Sequence, residues 1–419
     1  ITFYYSGNPI IAKRAPWDGG FVFTQDPEGK PWIATACQGL GASAWWPNKD
    51  HQSDEPEEGM TIKVAVPNGL MNVSNGRFKG STDLGNGYTR WDWEVVNPIN
   101  NYNVALNIAD YAHFKDEYKG LSLDYYVLKE NLEKAKKQFE EVKPMMDCFY
   151  EKFGEYPFEE DGYKLVETPH LGMEHQSAVA YGNKYMKGYL GRDVSGSGVG
   201  LKTDFIIIHE SGHEWFGNSI TSEDIADMWI HEGFTSYADA VYLECRFGYE
   251  ESQKYISGIR NSVANNAPII GKYGLNNEGS PDMYYKAANM LNNIRHMVNN
   301  DEKWWAILKK YAETYKHSIV TTDIVIAFFE KESGLVLRPV FDQYLKHKDL
   351  PVLELKQKGN DVLYRWKADV ERFDMPVDVM IQGSVKRLKP KADWQKLSKT
   401  LINTVNPVEN RFYINIQRL

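Results

Sequence analysis

His209-Glu210-Ser211-Gly212-His213 and, after a gap of eighteen residues, Glu232 within Trp229-Ile230-His231-Glu232-Gly233-Phe234 decide the reading of this 419-residue chain. On an α-helix, residues four apart are offset by only ~40° and stand one turn above each other, so both imidazoles reach one ion. Glu210 points about a quarter turn away, where a carboxylate can take a proton from water activated at a metal without being a ligand itself. Three protein ligands, His209, His213 and Glu232, leave a fourth position open. That is the arrangement of a catalytic zinc site, whereas structural sites are usually closed by four Cys or His side chains. The apolar run Phe205-Ile206-Ile207-Ile208, with Asp204 as N-cap and Gly217-Asn218 as a stop, predicts a short buried helix under the first motif. The segment from Asp224 to Phe247 carries apolar residues at Ile225, Met228, Trp229, Ala238, Val241, Tyr242 and Cys245. It opens with the capping candidates Thr221 and Ser222, which puts Glu232 on a second helix. The alternative, two core histidines and a surface glutamate, buries imidazoles and carboxylates together without a cation, a costly arrangement.

Outward from the motif, the pattern changes twice. Residues 1 to about 120 are rich in Gly, Pro, Asn and aromatics, with alternating runs at Ile62-Lys63-Val64-Ala65-Val66 and Val104-Ala105-Leu106-Asn107-Ile108 and turns at Asn68-Gly69 and Asn75-Gly76, which reads as a β domain. Helical periodicity begins near Asn131, with Leu132, Ala135, Phe139, Val142, Met146 and Phe149 on one face. It recurs at 203–216, 224–247, 283–298, 301–315 and 322–345. After Lys348-Asp349-Leu350-Pro351 strand alternation returns at Val352 to Leu355, Val362 to Trp366, Val377 to Ile381 and Phe412 to Ile416, so a small β-sandwich is expected. The fold class is therefore multidomain α+β, with an N-terminal β domain over 1–120, a mainly helical catalytic domain over 121–347 and a β-sandwich over 348–419.

Composition bounds the function. Hydrophobic content of 42% and charged content of 25% are globular values, and no apolar run of about 20 residues predicts a membrane span. A net charge of −9 offers no electrostatic reason to bind nucleic acid. Cys37, Cys148 and Cys245 are far apart and predict neither a disulfide framework nor a C-x-x-C metal site. The opening Ile1-Thr2-Phe3-Tyr4-Tyr5 is strand-like without an initiator Met, and the expectation is that an N-terminal stretch is missing. Compartment and oligomeric state stay open.

His209-Glu210-x-x-His213 with Glu232 resembles the zinc-binding signature of the aminopeptidase N and leukotriene hydrolase family of metallopeptidases. His213-Glu214-Trp215-Phe216-Gly217-Asn218 continues the first motif, and Asp227-x-Trp229-x-x-Glu232-Gly233-Phe234 is similar to the second. Upstream, Leu171-Gly172-Met173-Glu174-His175 resembles the exopeptidase motif G-x-M-E-N; downstream, Tyr284-Tyr285-Lys286-Ala287 resembles a Tyr-x-Lys-Gly segment. The resemblance implies a thermolysin-like catalytic domain holding one zinc ion on His209, His213 and Glu232, with Glu210 as general base and Tyr284 as the hydroxyl that steadies the oxyanion. It also implies that Glu174 anchors the free ammonium of a peptide, that Gly172 and Met173 line the substrate as an added strand, and that Gln38 helps to hold the amine. Two residues depart from the pattern, Leu171 for Gly and His175 for Asn. A protonated His175 beside the ammonium site would repel substrate, so efficiency is expected to fall steeply below about pH 6.5.

The function so implied is zinc-dependent removal of residues from peptides with a free N-terminus. Two other readings are open: epoxide hydrolysis at the same site, as one branch of the family performs, and a non-catalytic binding module on the same scaffold. Intact His209, Glu210, His213, Glu232 and Tyr284 weigh against the last.

Overall fold

The computed structural model describes residues 1–408 and 410–419. Helices and several separate sheets coexist along the chain, as the α+β class requires. The chain divides into two compact units, one of residues 1–192, 201–224 and 315–319 and one of residues 193–200, 225–314 and 320–419.

The first unit is built mainly on sheets. Gly20–Gln25, Pro31–Ala36, Asn107–Ala109 and Met71–Val73 form one in that order, and Met60–Pro67, Tyr88–Val95 and Arg77–Asp83 form an antiparallel second. The alternation expected around Ile62 is realised, with Ile62 and Val66 buried between exposed Lys63 and Ala65. Both expected turns carry a glycine in the left-handed region, Gly69 at φ 92° and Gly76 at φ 73°. The strand expected from Val104 begins only at Asn107. Asn101–Asn103 form a single 3-10 turn instead, because the Asn100 side chain accepts from the Tyr102 backbone N–H and competes with ladder pairing.

A third sheet of this unit carries the elements nearest the site. Its order is Gly172–Met173, Val179–Tyr181, Tyr163–Glu167, Leu121–Leu128 and Tyr111–Tyr118. Tyr163–Glu167 runs parallel to both neighbours, and all five of its residues are buried, as a strand covered on both faces should be. Three helices belong here: α1 Leu132–Gln138, α2 Val142–Phe153 and α3 Phe205–Gly212. The periodic face read from Leu132 to Phe149 is interrupted by a 3-10 turn at Phe139–Glu141. Its apolar residues Ala135, Phe139, Val142, Met146 and Phe149 are buried all the same.

The second unit holds α4 Trp229–Phe247, α5 Tyr249–Gly258, α6 Tyr285–Val298, α7 Asp301–Thr314, α8 Thr322–Ser333 and α9 Arg338–Lys346. One helix was expected over 322–345, and two form. Gly334 takes the left-handed conformation that ends α8, and Pro339 opens α9 in the first turn, where its missing N–H costs nothing. Two further sheets lie in this unit, Gln395–Leu397, Asp361–Lys367, Val352–Lys358 and Asn415–Arg418, and Ser384–Leu388, Val377–Ile381 and Val405–Pro407. The last strand starts at Asn415, three residues later than the pattern from Phe412 indicates. Cys37 is free and buried.

Candidate metal and peptide site

The helix under the first motif begins where the sequence indicated. Asp204 caps α3, its carboxylate accepting from the Ile206 N–H at 3.1 Å and the Ile207 N–H at 3.3 Å. The same carboxylate accepts from Gln138 Nε2 at 2.6 Å, the Tyr181 hydroxyl at 2.7 Å and Asn183 Nδ2 at 2.8 Å, which ties the start of α3 to α1 and the third sheet. Burial pushes its pKa up to about 6, and these donors offset only part of that rise. The helix ends at Gly212 and not at Gly217-Asn218, but His213 is the capping residue and keeps right-handed helical backbone, so the four-residue stagger survives.

Both imidazoles are buried, with ring centroids 5.0 Å apart and planes at 88°. Phe205 stacks on His209 at 4.9 Å. His213 Nδ1 lies 3.0 Å from the Phe216 carbonyl. A carbonyl only accepts, so Nδ1 carries a proton and Nε2 is the atom with which His213 could bind a metal.

Glu174 follows the edge strand Gly172–Met173 and is buried. Its Oε1 accepts from Gln38 Nε2 at 2.7 Å and from the Tyr102 hydroxyl at 3.0 Å. The two residues expected to meet a substrate amine are thus in direct contact. Tyr102 was not foreseen; nothing in the sequence distinguishes it among 26 tyrosines. Met173 is buried with Tyr102 and Ala180 in a small apolar cluster beneath. Gly172 is required by a close approach, since a Cβ there would stand 2.8 Å from Glu210 Oε1 and 2.9 Å from Ile206 Cγ2. Asn218 Nδ2 donates to the Glu174 carbonyl at 2.7 Å and to Glu214 Oε1 at 2.9 Å, so the polar continuation of the first motif braces the strand that carries Glu174. Glu214 is completely buried, and burial raises its pKa to about 7 against hydrogen bonds from Tyr156, the Ser177 N–H and Asn218.

In the second unit, Glu232 is buried in the first turn of α4. Thr221 and Ser222 do not cap this helix: they lie in the strand Ile220–Ser222, Thr221 Oγ1 donates to the Gly217 carbonyl at 2.9 Å, and α4 starts with no side-chain cap. Gly233 allows α4 to meet α6 closely, a Cβ there falling 2.6 Å from that of Ala287. That contact holds the segment from Tyr284 to Ala287 beside the Glu232 turn. Tyr284 is half-buried at the N-terminal end of α6. Lys286 donates to the carbonyls of His347 at 3.0 Å and Lys348 at 2.8 Å, with its pKa lowered to about 8 by burial.

Within the first unit, one ligand atom from each of Glu174, Glu210 and His213 lies within 4.8 Å of the others. All three side chains are buried, as are those of His209 in this unit and Glu232 in the second.

One expectation is overturned. His175 is completely buried, and loss of solvation, with His170 as a second cause, lowers its pKa to about 3. An imidazole held neutral at pH 6.5 repels no ammonium ion.

Residues 137–344 match the Peptidase family M1 domain. The chain is 22% identical to glutamyl aminopeptidase of Bos taurus over 335 residues, which are 75% of this chain and 34% of that one. It is 22% identical to probable aminopeptidase 1 of Sulfurisphaera tokodaii over 367 residues, 83% of this chain and 44% of the other. With leucyl aminopeptidase of Saccharolobus solfataricus it shares 23% over 357 residues, again 82% of this chain and 44% of the relative. The chain therefore spans less than half the length of these relatives. Among the described residues no helix is long and apolar enough to cross a membrane.

Proposed function

From the membership of this chain in peptidase family M1, we propose that it is a zinc-dependent aminopeptidase that removes residues from peptides with a free N-terminus. The observation that carries the reading is the first unit's own group of Glu174, Glu210 and His213, whose ligand atoms lie within 4.8 Å of one another. It joins an anchor for a positive charge, a base and a metal ligand in one place.

His209, His213 and Glu232 are the residues that would hold the ion. Bound there, zinc supplies Lewis acidity, lowering the pKa of a water to about 7 and polarising the scissile carbonyl. Glu210 accepts the proton of the attacking water and returns it to the leaving amine. Glu174 binds the substrate ammonium, with Gln38 and Tyr102 donating to its carboxylate and fixing its direction. Gly172 and Met173 offer backbone for an extended peptide, and Tyr284 hydrogen-bonds the developing oxyanion. The layout proposed with this chemistry keeps an N-terminal β domain to about residue 120, a thermolysin-like peptidase domain over 121–347 and a small β-sandwich over 348–419.

Release of a fluorogenic amino acid tests the proposal. Hydrolysis should stop with a chelator and resume with zinc, and an N-acetylated peptide should resist. If the acetylated peptide is cut as fast as the free one, the aminopeptidase reading is wrong.

A further inference from the structure

Away from these groups, the first unit contains a cavity of about 400 Å³ lined by side chains of the three-stranded and five-stranded sheets. Lys164 stands in its floor, buried at 2% exposure, with its ammonium 5.5 Å from the Trp93 ring centroid. Among the described residues its one hydrogen bond runs to the Gly76 carbonyl. An ammonium has three donors, so two remain. The acidic neighbours are engaged elsewhere: Asp161 accepts from the Val96 N–H at 2.9 Å and Asn97 Nδ2 at 2.9 Å, and Asp124 lies 2.7 Å from His113 Nε2. Arg77 is committed as well, donating to the Glu160 and Glu159 carbonyls at 2.7 and 2.8 Å. The charges of Asp124 and Asp161 still favour the ammonium and that of Arg77 opposes it, so what the cavity leaves unmet is hydrogen bonding, two N–H donors that an anion can complete. Burial lowers the Lys164 pKa to about 8, which leaves it charged at neutral pH.

The walls differ in kind from the floor. Phe78 lies with its ring 5.6 Å from that of Trp91 and 5.2 Å from that of Trp93, and it is 45% exposed at the mouth. Flat aromatic faces beside a lining in which Arg77, Lys115 and Lys164 outnumber Asp124 and Asp161 favour a ligand that is flat and apolar at one end and anionic at the other. A polyol would stack on the rings but bring no charge to the ammonium, and a cation would meet three basic side chains against two acidic ones.

We propose that this cavity binds a small aryl carboxylate, its carboxylate on Lys164 and its ring against Phe78, Trp91 and Trp93. The site is independent of the peptidase chemistry. Calorimetric titration of the whole metal-loaded chain with phenylacetate should give one site with a Kd in the range of about 0.1–1 mM, as befits so small a ligand. Benzyl alcohol, which lacks the charge, and acetate, which lacks the ring, should each bind at least about tenfold more weakly. Lys164→Met, which keeps the length of the side chain without its charge, should weaken phenylacetate by at least about tenfold, and Trp91→Ala should do likewise. Should Lys164→Met fail to fold, Trp91→Ala and the two truncated ligands still decide. Absence of binding, binding unchanged in both variants, or binding that survives Lys164→Met and disappears with a chelator would each overturn the proposal, the last by placing the carboxylate on the metal. Glucose displacing phenylacetate would overturn it too, by showing a polyol site.

Discussion

The first unit buries two pairs of histidines, and they differ in almost everything except burial. His209 and His213 have perpendicular rings 5.0 Å apart, and His170 and His175 have perpendicular rings 6.4 Å apart. The first pair meets carboxylates: His213 converges with Glu174 and Glu210. No carboxylate appears among the causes that shift the second pair, and burial lowers the pKa of His170 to about 4 and that of His175 to about 3. A buried imidazole is thus no sign of a site by itself. What separates the pairs is convergence with acids, which gives a cation something to bind and would be costly without one.

The sharpest way to break this comparison is at the base. Glu210→Gln should lower kcat by about 10²–10⁴-fold, the range expected for loss of general acid–base catalysis, while elemental analysis still finds the metal. His213→Ala should lose the metal as well, and retention of a full complement of zinc would remove His213 from the ligand set. Glu174→Ala should lower kcat/KM for free peptides by about 10²-fold and narrow the preference over acetylated ones, because a charge-assisted contact is lost. Gln38→Ala, which removes one of two donors to that carboxylate, should cost about tenfold or less. An effect as large as that of Glu174→Ala would mean that Gln38 touches substrate directly.

The smallest effect is predicted at the second pair. His175→Asn should leave the pH profile of activity unchanged between pH 5.5 and 8, and a flattened acidic limb would restore the repulsion idea. Stability should respond instead. The folded pKa of about 3 lies below the ordinary histidine value, so the unfolded chain takes up a proton below about pH 6.5 that the folded one refuses. Stability is therefore lost as pH falls through that window, by about 1.4 kcal/mol per pH unit. Denaturant unfolding at pH 7.5 and 5.0 should show His175→Asn losing about 2 kcal/mol less than the parent over that interval.

Some of this was legible because it depends on local spacing. The four-residue stagger of His209 and His213, the cap at Asp204, the turns at Gly69 and Gly76 and the alternation around Ile62 are set within a few residues. Helix interruptions were less legible: the break at Gly334 and Pro339 lies inside a run whose apolar spacing continues across it. That Gln38 and Glu174 both serve a substrate amine was expected from resemblance alone, and their direct contact across 136 residues belongs to the fold.

By itself the sequence determined that His209 and His213 stand one turn apart on one helix, because helical geometry brings residues four apart onto one face. Only the tertiary structure decided what surrounds them: that Tyr102 joins Gln38 on the Glu174 carboxylate, that Gly172 must lack a side chain to pass Glu210, and that His175 stays neutral. The physical reason is that burial and long-range hydrogen bonding depend on which strands and helices meet. No local pattern encodes that meeting, and it is what sets the desolvation and partners of each charged group.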